Sequence, residues 1–363
     1  MKKAGILTFH EAINYGAVMQ AYALKTAIGD KAEIIPYRSE HISKGYNLLR
    51  RFIKGNLKSK VAFLLFENWN AASKKKKFQR FVRNNLVSSE RIILANEVET
   101  IGKEYSVVIS GSDQVFNLEC TGNDFVYFLD FNMPDNVKRV AYAASFGSRS
   151  VPEQYKKEIK QAIDKFDGLA VREKAGQEII NNLTDKESIV VLDPTLIIDR
   201  KYWIKLAEQA SIKKSKYVFV YTITYDKDLL LFAKKIAGND KTVIYVGPIS
   251  RDLPKGIKCI KNCGPEEWLA YIKQSVYVVT NAFHGIALSL AMQKQVYIGF
   301  PPGVKAENND RIYNIVEKFG LQNRLYKEFT RLENMSYEQI NDKMNHERKY
   351  SLEYLEKNVL RYL

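Results

Sequence analysis

Short apolar runs rich in Val and Ile alternate with helix-period segments along most of the chain, in two successive series. In the first, AGILTF (4–9), AEIIPY (32–37), YSVVISGSD (105–113), KRVAYAASFG (138–147) and DGLAVRE (167–173) read as buried strands. NYGAVMQAYALKTAI (14–28), EQYKKEIKQAIDKF (153–166) and KAGQEIINNL (174–183) lie between them with apolar residues at helical spacing. SIVVLDPTLII (188–198) reads as a further strand with a proline-containing end. The second series has strands KYVFVYTIT (216–224), TVIYVG (242–247), VYVVT (276–280) and QVYIGF (295–300). Its helices are KDLLLFAKKIA (227–237), GPEEWLAYIKQS (264–275), the segment after NAFHG, and NDRIYNIVEKFG (309–320), closed by glycine. A long helical stretch ends the chain from about residue 337. Strands that alternate with helices need crossover connections, so the sheets are parallel and doubly wound. Two series, split near residues 200–215, give two α/β domains with ligands at the carboxyl ends of strands.

A chain of 363 residues is long enough to give each domain its own core. No apolar run reaches the roughly 18 residues that span a bilayer. His10, Glu11 and Asn14 interrupt the only stretch resembling a leader, so a cytoplasmic location is expected. Cys120, Cys259 and Cys263 offer neither a disulfide framework nor a zinc spacing, and no metal is expected. The net charge of +15 is concentrated between about residues 40 and 90, where LLRRFI, VAFLLFENW, KKKK (74–77) and FQRFV mix cations with apolar residues. This pattern suits an anionic membrane surface or an anionic ligand attached to one. A solvated helix face would look the same, and no signature of nucleic-acid binding accompanies it.

Polar loops directly after strands are the site candidates. In HEAINYG, His10, Asn14, Tyr15 and Gly16 lead into a helix; Asn14 can cap it, and its free N–H groups can bind an anion. In SGSDQVFN, Ser110, Ser112, Asp113 and Gln114 can bond sugar hydroxyls or simply fix a turn. Ser145 in AASFGS follows another strand. Arg172 suits a bidentate grip on phosphate or carboxylate, or a salt bridge to a neighbouring acid. LDPTL reads as structural, with Asp193 a minor candidate. In NAFHG, Asn281, Phe283, His284 and Gly285 sit at a strand-to-helix junction. There an imidazole can exchange a proton near neutral pH, and Gly285 leaves the backbone open. Arg311 enters the first turn of a helix. No GxSxG, HExxH or strand-following GxGxxG occurs.

GILTFHEAINYGAVMQAYAL, VVISGSDQVFN, AYAASFGS, VREKAG, VLDPTL, TNAFHGIALSLA and NDRIYNIVEKFGL occur in that order. Together they resemble the polysaccharide pyruvyl transferase family, over about residues 4–325. The resemblance implies a GT-B-like fold: two Rossmann-like domains facing a cleft, with a C-terminal helix returning to the first. Expected boundaries are 1–203 for an acceptor-side domain, 204–330 for a donor-side domain and 331–363 for the returning helix. It implies transfer of the enolpyruvyl group of phosphoenolpyruvate to two hydroxyls of a sugar, forming a cyclic ketal and releasing phosphate. No cofactor beyond that donor substrate is implied. Donor contacts fall on Arg172, Arg311, Asn281, Phe283 and Gly285, and proton transfer on His284. Acceptor contacts fall on His10, Asn14, Tyr15, Gly16, Ser110, Ser112, Asp113, Gln114 and Ser145. The acceptor is a sugar or a lipid-linked oligosaccharide, which the basic segment could meet at a membrane. Some members carry an arginine where this chain has Ala282, and Arg311 is the candidate replacement. A nucleotide-sugar glycosyltransferase and a non-catalytic glycan-binding protein are the alternatives.

Overall fold

A computed structural model describes residues 2–45, 57–87, 91–303 and 309–363, with backbone alone at 43–45 and 57–68. Six parallel strands form the first sheet: β1 (Ala4–Leu7), β2 (Ala32–Ile34), β3 (Val107–Ser110), β4 (Lys138–Ala144), β5 (Gly168–Val171) and β6 (Ile189–Val190). Their spatial order is β2-β1-β3-β4-β5-β6. Five more, β7 (Tyr217–Tyr221), β8 (Thr242–Val246), β9 (Ile257–Cys259), β10 (Tyr277–Thr280) and β11 (Val296–Ile298), form a second parallel sheet ordered β11-β10-β7-β8-β9. Central strands β1, β3 and β7 are buried along their whole length, as strands covered on both faces must be. Strand order reverses between β1 and β3 in one sheet and between β7 and β10 in the other. Loops part at such switch points and leave a crevice at the carboxyl ends.

The first domain is covered by helices α1 (Tyr15–Ile28), α2 (Glu40–Gly45), α3 (Leu57–Asn85), α4 (Ile101–Glu104), α5 (Leu118–Thr121), α6 (Lys156–Asp164) and α7 (Lys174–Leu183). Next come α8 (Pro194–Ile197) and α9 (Arg200–Ala207), then α10 (Lys227–Ala237), α11 (Pro265–Gln274), α12 (Phe283–Ala291), α13 (Asp310–Phe319) and α14 (Glu338–Asn358). Helix α14 returns to the first sheet: Tyr354 donates to the Ala141 carbonyl at 3.0 Å, and the Leu192 N–H donates to Ser351 Oγ at 3.0 Å.

Two local readings are corrected. The strand expected over 188–198 stops at Val190, because Asp193 caps a helical turn that begins with Pro194. Strand β9 went unrecognised because its three residues carry too little pattern.

The basic segment also differs from a plain solvated or membrane-facing stripe. Arg50, Arg51 and Lys54 lie outside the described residues, as do the side chains of Lys44, Lys58 and Lys60. Within KKKK, Lys74 turns inward over the Tyr15 ring, 4.8 Å from its centroid. Lys77 donates to both carboxylate oxygens of Glu267 on α11 at 2.7 Å. Lys75 and Lys76 stay exposed. Helix α3 therefore clasps the second domain. No helix among the described residues is long and apolar enough to cross a membrane.

Candidate functional site

The two switch points face each other across a cleft of about 580 Å³. Asn14 reaches it from the loop after β1, Asp113 and Gln114 from that after β3, and Gly147 and Ser148 from that after β4. The second domain contributes Ile223 after β7, Phe283 and His284 after β10, and Arg311 from the first turn of α13.

Beneath the cleft floor lies a buried charge network centred on Asp193. Its Oδ1 accepts from the Thr195 N–H at 2.9 Å and the Thr195 hydroxyl at 2.7 Å. Its Oδ2 accepts from Ser112 and from Arg172 Nη1, each at 3.0 Å, and lies 3.5 Å from His284 Nε2. Burial by itself would raise the Asp193 carboxyl. The charges of His284 and Arg172 and the hydrogen bonds outweigh it and hold the group well below the usual carboxylate range.

Arg172 is also approached by Glu173 at 3.6 Å and Asp113 at 3.9 Å. The Phe283 ring covers its guanidinium at 4.8 Å. Arg172 therefore does not line the cleft. The expected donor-gripping arginine is held by three carboxylates instead.

Among the described residues, Arg311 is the guanidinium that reaches the cleft. Burial first, and the like charge of Arg172 second, work against its cationic form. An anion in the cleft would relieve both. With its oxygen turned toward α13, the Gln114 amide accepts from Arg311 Nη1 at 3.1 Å and Nη2 at 3.3 Å. Gly147, at φ +67°, leaves room for the other end of that amide, which would stand 2.0 Å from a Cβ there. His284 is pressed against α1: a Cβ on Gly16 would stand 2.0 Å from its Nδ1. The imidazole is thus fixed between a carboxylate on one edge and a side-chain-free turn of helix on the other.

The other expected residues divide sharply. Asn14 caps α1 through the Ala17 N–H at 3.3 Å and also lines the cleft. Tyr15 does not line the cleft. It stacks on Trp268 at 5.0 Å and donates to the Cys263 carbonyl at 2.9 Å, which joins the domains. Ser110 donates to the Tyr127 carbonyl, and Ser145 accepts from the Gly147 N–H; both are fully buried outside the cleft. Ser112 serves Asp193. Asn281 accepts from the Ile223 N–H at 3.0 Å and donates to the Thr224 carbonyl at 3.2 Å, tying two loops together. Gly285 is required by Thr280, whose Oγ1 would lie 2.3 Å from a Cβ, and it does not line the cleft. His10 faces a different pocket. Asp193, a minor candidate in sequence at a proline-held strand end, and Glu173, which no local pattern singles out, both belong to the buried network around Arg172.

A family model described as polysaccharide pyruvyl transferase matches residues 14–300. No curated protein matches the chain. Among solved structures, UDP-GlcNAc 2-epimerase from Neisseria meningitidis bound to UDP-GlcNAc shares 10% identity, with 99% of this chain and 100% of that one covered, at a TM-score of 0.46. The S. aureus MnaA–UDP structure shares 11% identity over 96% and 97%, at 0.42. A further UDP-N-acetylglucosamine 2-epimerase shares 10% over 100% and 97%, at 0.49. Similarity at this level carries no inference about the chemistry.

Proposed function

The chain belongs to the polysaccharide pyruvyl transferase family, and from that premise we propose that it transfers the enolpyruvyl group of phosphoenolpyruvate to two hydroxyls of a sugar in a surface polysaccharide precursor. In the reaction the methylene carbon takes up a proton and becomes a methyl group. One hydroxyl oxygen bonds to the adjacent, cation-like carbon, and the second displaces phosphate from it. Of the two hydroxyl protons, one balances the methyl group and the other leaves with phosphate.

The observation that carries this reading is the pairing, in one cleft, of a buttressed imidazole with a partly buried guanidinium. His284, with Asp193 behind it, would hold and move the proton. Arg311 would grip the donor's phosphate or carboxylate, the task that an arginine at Ala282 performs in some members. Arg172 would act at one remove, by holding the Asp193 carboxylate. Asp113 and Gln114 would orient the acceptor.

The test is phosphate release from phosphoenolpyruvate in the presence of galactosyl, mannosyl and glucosyl acceptors, free and lipid-linked. Turnover that depends on an acceptor is expected. His284→Ala should lower it by about 10²–10⁴-fold, with the melting temperature nearly unchanged. Stabilisation by a nucleoside diphosphate, but not by phosphoenolpyruvate, would reject the donor assignment.

A further inference from the structure

A second, larger pocket of about 890 Å³ lies in the first domain, between the loops after β1 and β2 and the side of α3. It is separate from the cleft. His10, Glu11 and Ile13 face the pocket, whereas Asn14 on the same loop faces the cleft. The catalytic and binding roles proposed for the cleft use none of its residues.

Its chemistry is distinctive in three ways. First, His10 in its wall is only 2% exposed, and its Nδ1 contacts the Thr8 carbonyl at 3.1 Å. A carbonyl accepts only, so Nδ1 carries the proton and Nε2 is an acceptor. That Nε2 has no partner among the described residues. A buried acceptor left unpaired costs about 1–3 kcal/mol, which a donating hydroxyl would recover. Second, the rings of Phe9, Phe78 and Tyr127 line the pocket beside aliphatic Ile13 and Val82. Third, the field is positive. Lys75 and Arg83 line it together with Arg38 and with Arg91, which Glu104 outside the pocket engages at 2.6 Å. Glu11 is the sole acid among the described lining residues, and Arg38 already engages it through two bonds of 2.8 Å. Lys75, Gln79 and Arg83 recur every four residues, so they form one stripe of α3 about 12 Å long.

We propose that this pocket binds a glycosyl phosphate, with Lys75 and Arg83 holding the phosphate, the aromatic rings packing the sugar and His10 Nε2 accepting from a sugar hydroxyl. An apolar ligand would leave the cations idle, and inorganic phosphate would leave His10 and the rings unused. A free sugar phosphate and a sugar on a lipid-linked phosphate present the same chemistry. The proposal stands independently of the reading of the cleft.

The test measures binding of glucose 1-phosphate, glucose and inorganic phosphate to the full chain by calorimetry. In a second arm, phosphatidylcholine vesicles carry a polyprenyl-diphosphate-linked glucose. Glucose 1-phosphate should bind at least tenfold more tightly than either fragment. Lys75→Ala with Arg83→Ala, both exposed and safe for folding, should weaken it about tenfold. His10→Leu should weaken glucose 1-phosphate but leave inorganic phosphate unchanged. Arg311→Ala in the cleft should have no effect. Binding to the vesicles alone assigns the lipid-linked source, and binding in solution assigns the free one. Binding in neither arm overturns the proposal. So does binding that is lost in Arg311→Ala, or that survives the Lys75 and Arg83 substitutions.

Discussion

Asp193 shows how one side chain can organise a site while reaching none of its open surface. It accepts from Thr195, Ser112 and Arg172 and faces His284. Asp193→Asn would leave the Arg172 charge partly uncompensated in the interior. Loss of one partner of a buried pair costs about 3–5 kcal/mol, and that loss is expected at neutral pH in denaturant titrations. The sign with pH follows from the depressed native carboxyl. Its contribution is present above the unfolded value of about 4 and is lost as pH falls through the native one. The gap between wild type and variant should therefore narrow below about pH 4; a constant gap would exclude a charge-based role. In sequence, Asp193 reads as part of a strand end held by Pro194; in the structure it caps the helical turn that Pro194 begins. Arg172 and His284, 21 and 91 residues away, could not be read as its partners from local pattern.

At the scale of elements, α3 is the segment whose meaning changes most. Its charge suggested an outward-facing stripe. Instead Phe78 and Phe81 enter the core, Lys74 covers Tyr15, and Lys77 bonds Glu267, which also closes the start of α11 through the Gly264 N–H at 2.7 Å. The Lys77–Glu267 pair is 23% and 29% exposed at its side chains, so solvent screens it in part. A double-mutant cycle with Lys77→Ala and Glu267→Gln should give a coupling of about 1 kcal/mol, at the upper end of what an exposed pair shows. A coupling near zero would mean that α3 is held by its aromatic residues alone. The inward turn of two lysines was not readable, because a basic amphipathic helix looks the same whether its cations meet water, lipid or a neighbouring helix.

Across the whole molecule, one hydrophobic cluster runs through both domains. It includes Val18 and Leu24 of α1, Leu196 of α8, Trp203 of α9, Trp268 of α11 and Ile286 of α12. Helix α14 adds Tyr354 and Leu355. A core shared in this way makes the two sheets one folding unit, so thermal unfolding should be a single cooperative transition. Two separated transitions by calorimetry would show the domains to be independent. The parallel strands, their crossover helices and the loops at their carboxyl ends follow from the sequence, because apolar period, glycine closure and capping act within a few residues. Which loop side chains reach the cleft is decided only by tertiary structure. Ser110, Ser145, Asn281 and Tyr15 spend their polar atoms on the fold, and Arg172 is enclosed by acids, while Arg311 and His284 reach the cleft. Those outcomes depend on burial and charge partners brought together from distant segments, as when Tyr15 bonds Cys263 across 248 residues.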